Sequence, residues 1–238
     1  MKIGGIYYTD NRLDSKMLKV CQKQLRVAFD REIVSCSLKS MDFGKNIVFN
    51  GVRSYPTYLK QILTALEAST SDVVYFLEHD VLYSPSHFKF VPTKPEIYYY
   101  NINNYRWRWE TDVAITYDEL TSLSMMCCFR ETAIKHYKLR IEVIEHQGMN
   151  EYRSREPRWA RRFGYEPGTK KIKRGGLTDE DCMKWKSEFP NIDIRHKGTF
   201  SHPKTFLREF IHPPASFREV NVFDIPGWDL KKLWNYQL

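Results

Sequence analysis

The chain has 238 residues, 42% hydrophobic and 28% charged, enough for one sizeable α/β core and too few for two linked domains. Its net charge of +8 favours a polyanionic partner: nucleic acid, a phosphate-rich glycan or an anionic membrane face. The five cysteines are odd in number and contain no CxxC, which excludes a disulfide framework or zinc knuckle and fits a reducing cytoplasm, and no apolar run has the length of a signal peptide or a membrane span.

Residues 2–9 read as a buried first strand that ends at Thr9-Asp10-Asn11. Asp14 or Ser15 caps a helix in which Leu18, Cys21, Leu25 and Ala28 recur at helical spacing. Residues 32–37 form a second strand. Ser54 and Pro56 open a second helix, with Tyr58, Leu59, Ile62, Leu63 and Leu66 on one face. The run DVVYFL at 72–77 is continuously apolar, as a strand buried on both faces must be. Further strands are expected at 96–101, 112–117 and 191–195, and helices at 131–146 and, capped by Thr178, through residue 188. Residues 152–176 read as a basic loop, and 201–238 as a tail that wraps the body. The fold class is therefore α/β: an open, mostly parallel sheet with helices on both faces, in one domain spanning 1–238. Residues 1–95 form a nucleotide-binding half and 96–200 an acceptor half.

Ligands in such sheets lie at the carboxyl ends of the strands. Two polar clusters fall there: Thr9-Asp10-Asn11 and Glu78-His79-Asp80. An acid–X–acid triplet after a buried strand sets two carboxylates at the mouth of the sheet. That suits a hard divalent cation, Mn²⁺ or Mg²⁺, shared with the phosphates of a leaving nucleoside diphosphate.

The segment VVYFLEHDVLYSPSHFKF resembles the DxD region of glycosyltransferases with the GT-A fold, with Glu78 in place of the first Asp. The opening GGIYYTDNRLD resembles the strand and loop that hold the donor's nucleobase in such enzymes. IYYYNIN and FPNIDIRHKGTFS resemble segments of a predicted bacterial and phage group within them, for which phage DNA modification is one expected role. The likeness reaches to about Ser201; its specific parts are the EHD and IDIRH blocks. It implies a metal-dependent enzyme using a nucleotide-sugar donor. Asp80 and His196, with Glu78, would hold the metal. Thr9, Asp10, Asn11, Glu78 and Arg195 would meet the donor nucleotide.

An inverting transferase needs a general base near the acceptor hydroxyl. Asp181 and Glu180, in the first turn of the expected late helix, are the candidates, although acids there also serve as caps; Glu110 and Asp112 stand in reserve. The acceptor side is expected in the basic, aromatic stretch of 152–176, with Arg158, Arg161, Arg162, Lys170 and Lys171, and in a second wall carrying Trp107 and Trp109. Cations that track phosphates and rings that stack on bases suit DNA, with a hydroxymethylated pyrimidine as acceptor. The alternatives are a cell-envelope glycan or lipid-linked sugar, and a non-catalytic nucleic-acid-binding module on the same fold.

Overall fold

The computed structural model describes residues 1–146, 166–168, 181–199 and 204–234. The amino-terminal half alternates strand and helix. β1 (Ile3–Thr9) leads to α1 (Ser15–Ala28), β2 (Ile33–Ser37), β3 (Lys45–Val48), α2 (Tyr55–Ala68) and β4 (Val73–Glu78). Capping sets the helix starts. Asp14 accepts the N–H groups of Lys16 and Met17, each at 3.0 Å, and Ser54 accepts that of Thr57 at 3.2 Å.

Two residues past β4 the chain enters β5 (Val81–Leu82). The remaining strands are β6 (Tyr98–Asn101), β7 (Asn104–Arg108), β8 (Val113–Thr116), β9 (Met126–Phe129), β10 (Cys182–Trp185), β11 (Asn191–Arg195) and β12 (Arg218–Asn221). The helices α3 (Arg130–His146) and α4 (Leu230–Trp234) complete the order. Among the described residues, no helix is long and apolar enough to cross a membrane.

The strands form two sheets. The larger has the order β10-β6-β9-β4-β1-β2-β3, in which only β9 runs against its neighbours. On one face, Ile6, Val34, Val74 and Phe76 pack under α2 and α3; on the other, Tyr7, Ile33, Tyr75 and Leu77 meet Leu25 of α1. Helices therefore cover both faces, and the apolar run of β4 is buried twice over, as its sequence requires. The order reverses at β1, which has β2 on one side and β4 on the other. A crevice opens at such a switch point, outside the carboxyl ends of the strands.

The second sheet, β12-β8-β7-β11-β5, arises from the region that reads as irregular in sequence. Its apolar face carries Leu82, Trp107, Ile192 and Ile194 against Met17 and Cys21 of α1 and Leu230 and Trp234 of α4. Within the described part of the tail, β12 extends this sheet and α4 contributes Leu230 and Trp234 to its core. The helix expected through 188 is corrected. Residues Cys182–Trp185 form a strand because they pair in parallel with the Tyr-rich β6, a tertiary contact that overrides local helix signals.

Gln61 of α2 is buried and its amide donates to the carbonyls of Thr9 (2.9 Å) and Cys36 (3.3 Å), near the ends of β1 and β2. Gln61→Met keeps the volume and strands both carbonyls. We expect a loss of about 1–3 kcal/mol, read as a lower urea midpoint at unchanged m-value; an unchanged midpoint would show that water replaces the amide.

Candidate metal and nucleotide site

The Glu78-His79-Asp80 turn carries the chain from one sheet into the other. β4 ends at Glu78, β5 starts at Val81, and β5 pairs antiparallel with β11 through Val81↔Asp193 and Leu82↔Ile192. The Asp80 carbonyl accepts the N–H of Ile194 at 2.8 Å. This register carries the strand end that follows β11 to Asp80. His196 Nε2 lies 3.4 Å from Asp80 Oδ2, with both side chains largely buried. One ligand atom each from His79, Asp80 and His196 falls within 4.8 Å of the others.

The donor chemistry of this trio fits a divalent cation. His79 Nδ1 and His196 Nε2 are buried, and among the described residues neither has a hydrogen-bond partner. Buried polar atoms without partners cost free energy, and a cation between imidazoles and a carboxylate would relieve that cost. His196 Nδ1, by contrast, is occupied. It accepts the Gly198 N–H at 3.1 Å, so Nε2 is the atom turned to Asp80. Gly198 has room for this contact because it lacks a side chain; a Cβ there would stand 3.1 Å from His196 Cε1.

The two acids of the triplet differ. Burial pushes the Glu78 carboxyl up to about 7, the neighbouring Asp80 charge adds to this, and Arg195 and the Tyr8 hydroxyl, which donates at 3.0 Å, oppose it. Burial would also raise Asp80, but His79, His196 and Arg195 outweigh it and hold that carboxyl below the usual range. Asp80 is thus the standing anion. Glu78 is held under Tyr8, whose ring meets Tyr58 edge-on at 5.4 Å.

The Thr9-Asp10-Asn11 cluster lies across the crevice, and its side chains are engaged in shaping it. Asn11 adopts a left-handed φ of 58°, which Asn tolerates, and its Oδ1 accepts the N–H groups of Leu38 and Lys39, each at 2.8 Å. Thr9 Oγ1 accepts the Asn11 N–H at 3.0 Å. Asp10 pairs with Arg53 at 2.5 Å, and Arg53 also donates to the Gly198 carbonyl at 3.2 Å. Arg53 therefore ties the loop after β1 to the loop after β11. Sequence reasoning missed it, because a lone Arg before a helix cap has no motif.

Arg195 is buried beside the site and its guanidinium pairs with Asp193 on the same strand. Trp107 and Trp109 are not a stacking wall. Trp107 is 1% exposed, it donates to the Thr111 carbonyl at 2.7 Å, and Trp109 packs on Trp107 and Trp234. The strict alternation of β7 turns these rings into the core. Asp181 is not brought to the site either. It precedes β10 at the amino end of its pairing with β6, two strands beyond β4's neighbour β9 and at the opposite end from Asp80. Glu110 and Asp112 sit in the exposed turn after β7. Glu180, Arg158, Arg161, Arg162, Lys170 and Lys171 lie outside the described residues. Glu166 is an acid that sequence reasoning passed over; its charge acts on Arg195, Tyr58, Tyr100 and Tyr137.

Because folding raises the Glu78 pKa, the folded state binds more protons than the unfolded one between about pH 4.5 and 7. This group's contribution to stability therefore falls as pH rises through that window. Glu78→Gln, which keeps an acceptor for Tyr8, should stabilise the chelator-treated protein by about 1–2 kcal/mol above pH 7, the figure being reduced for solvent screening. The gain should vanish below pH 4.5, and thermal unfolding across pH 4–8 checks both limits.

No protein-family model matches the sequence, and no curated protein matches it. Among solved structures, the chain is similar to a glycosyltransferase involved in the glycosylation of the major capsid of PBCV-1, at 9% identity over 78% of this chain and 82% of that one, with a TM-score of 0.44. It is similar to the galactosyltransferase LgtC in complex with donor and acceptor sugar analogs, at 12% identity over 62% and 66%, with a TM-score of 0.40. It is also similar to TarS 1-349 of S. aureus, at 19% identity over 37% of this chain, with a TM-score of 0.31; the match spans 30% of that chain.

Proposed function

We propose that the chain is a cation-dependent glycosyltransferase that takes a sugar from a nucleotide-sugar donor and passes it to an acceptor hydroxyl. One observation carries this reading. A buried carboxylate and two imidazoles converge within 4.8 Å at the switch point of a mostly parallel sheet, where a nucleotide's phosphates would lie.

In this reading Asp80, His79 and His196 hold a divalent cation, Mn²⁺ or Mg²⁺, with Glu78 behind them. Bound there, the cation would neutralise charge on the departing nucleoside diphosphate. Thr9, Asp10 and Asn11 give the donor loop its shape, and Arg53 locks that loop to the far side. Arg195 adds positive charge near the diphosphate. Asp181 lies away from the site, so Glu180, outside the described residues, stays the proposed base, and Glu166, whose charge acts on Arg195, is added as a second.

For the acceptor we propose a hydroxymethylated pyrimidine in DNA, within a cell's cytoplasm. The net charge of +8 and the Lys/Arg run of 152–176 support a polyanion. Transfer to a neutral saccharide, insensitive to salt, would instead select the glycan acceptor.

Thermal unfolding with a panel of nucleoside diphosphates, each with and without Mn²⁺, tests the donor site. A ligand at about 100 times its Kd adds roughly 2.7 kcal/mol, several degrees in midpoint for a chain of this length. The expected shift needs one nucleotide and Mn²⁺ together and disappears in Asp80→Asn, which itself stays folded. An equal shift in Asp80→Asn would remove the cation site, and no shift with any nucleotide would turn the reading to a non-catalytic binding module.

A further inference from the structure

The second sheet buries its polar face. β7 reads Asn104-Tyr-Arg106-Trp-Arg108 and β11 reads Asn191-Ile-Asp193-Ile-Arg195, and the two pair in parallel with Arg106 opposite Asp193 and Arg108 opposite Arg195. The apolar members make the core under α1 and α4, so the polar members share the other side. A polar face of this kind ordinarily meets water. Here Asn104, Asn191 and Asp193 are 0% exposed and Arg106 is 9% exposed.

Most of these groups have partners. Asn191 accepts the Ser84 N–H at 2.8 Å, Asn104 donates to the Leu120 carbonyl at 2.7 Å, and Arg108 pairs with Glu219. Arg106 differs. Among the described residues it has no carboxylate partner, its only hydrogen bonds are long ones from Nη1 to Tyr117 (3.4 Å) and the Lys204 carbonyl (3.3 Å), and its Nε has none. Arg195 Nε is likewise buried and without a partner. Asp193 pairs with Arg195 through Oδ2, while its Oδ1 has no partner. Asp193 is the one carboxylate on this face of the two strands, and Arg106 beside it is the guanidinium left without a carboxylate partner among the described residues, although buried charge is ordinarily matched. Glu78 and Asp80 on the cation side, and Glu166, also act on Arg195, so Arg106 is the less compensated of the two.

We propose that Arg106, with Arg195 at its border with the diphosphate side, forms an oxyanion site on this face, beside the Asp80 trio, which takes the anionic group of the acceptor. Guanidinium forks suit phosphate and carboxylate alike, so the shared chemistry is an oxyanion on the substrate. The acceptor role rests on the transfer reading above; the anion site itself does not. Asp193 restrains the site by supplying a competing negative charge on the same face.

Calorimetric titration of the full chain with inorganic phosphate, a dinucleoside phosphodiester and a uronate, with and without a saturating nucleoside diphosphate and Mn²⁺, tests this. Wild type should bind at least one of these probes, and the preferred probe distinguishes phosphate from carboxylate. Arg106→Gln should weaken that binding at least about tenfold while leaving the nucleotide-plus-Mn²⁺ shift in place. Asp193→Asn should tighten it, a change that loss of a merely structural ion pair would not produce. Equal affinity in wild type and Arg106→Gln, unchanged or weaker binding in Asp193→Asn, or no binding of any probe by wild type would overturn the site. If Arg106→Gln fails to fold, the Asp193→Asn result decides. Retained phosphate binding in a protein that shows no nucleotide shift would sink the donor reading and leave the oxyanion site standing.

Discussion

Everything at the crevice depends on a two-residue ladder. β5 is only Val81–Leu82, yet its antiparallel pairing with β11 joins the two sheets and fixes where Asp80 meets His196. Strand register has a period of two, so a slip of one residue would turn Asp193 and Arg195 into the core and Ile192 and Ile194 out of it. The burial of Ile192 and Ile194 under α1 and α4 forbids that slip. Hydrophobic packing on one side of the second sheet thereby positions charged chemistry on the other.

The loops around the crevice are held by single side chains bonded to distant backbone. Asn11 spans to Leu38 and Lys39, Gln61 to Thr9 and Cys36, and Arg53 to Gly198. Each satisfies strand-end groups that would otherwise need water, and each brings together segments far apart in sequence. The crevice is therefore shaped before any ligand arrives, which reduces the ordering cost of binding.

Much of this was legible in the sequence, and the reasons for success and failure are physical. The strands at 3–9 and 73–78 announce themselves because burial on both faces demands an unbroken apolar run, and Asp14 and Ser54 announce their helices because an orphan N–H needs an acceptor. The placement of Glu78 and Asp80 at a strand mouth followed from the same run. The second sheet was harder to see. Its alternation of Asn104, Arg106 and Arg108 with Tyr105 and Trp107 looks like an exposed aromatic and basic wall, because sequence does not say that a polar face will be covered. Cys182–Trp185 hid as a strand because its pairing with β6 is a contact across many residues. Arg53 and Gly198 have no local signature at all; their roles exist only once β1 and β11 end side by side.

The hydrogen bond from Gly198 to His196 Nδ1 has a consequence for how the crevice responds to occupancy. A neutral imidazole that accepts at Nδ1 carries its proton on Nε2, the atom facing Asp80. For Nε2 to hold a cation, the ring's proton would have to sit on Nδ1, which would cost the hydrogen bond from Gly198. Arg53, bonded to the Gly198 carbonyl and to Asp10, is the next link from that loop to the donor side. The loop after β11 thus carries both the ring that would hold a cation and the carbonyl that ties it to the donor-side loop.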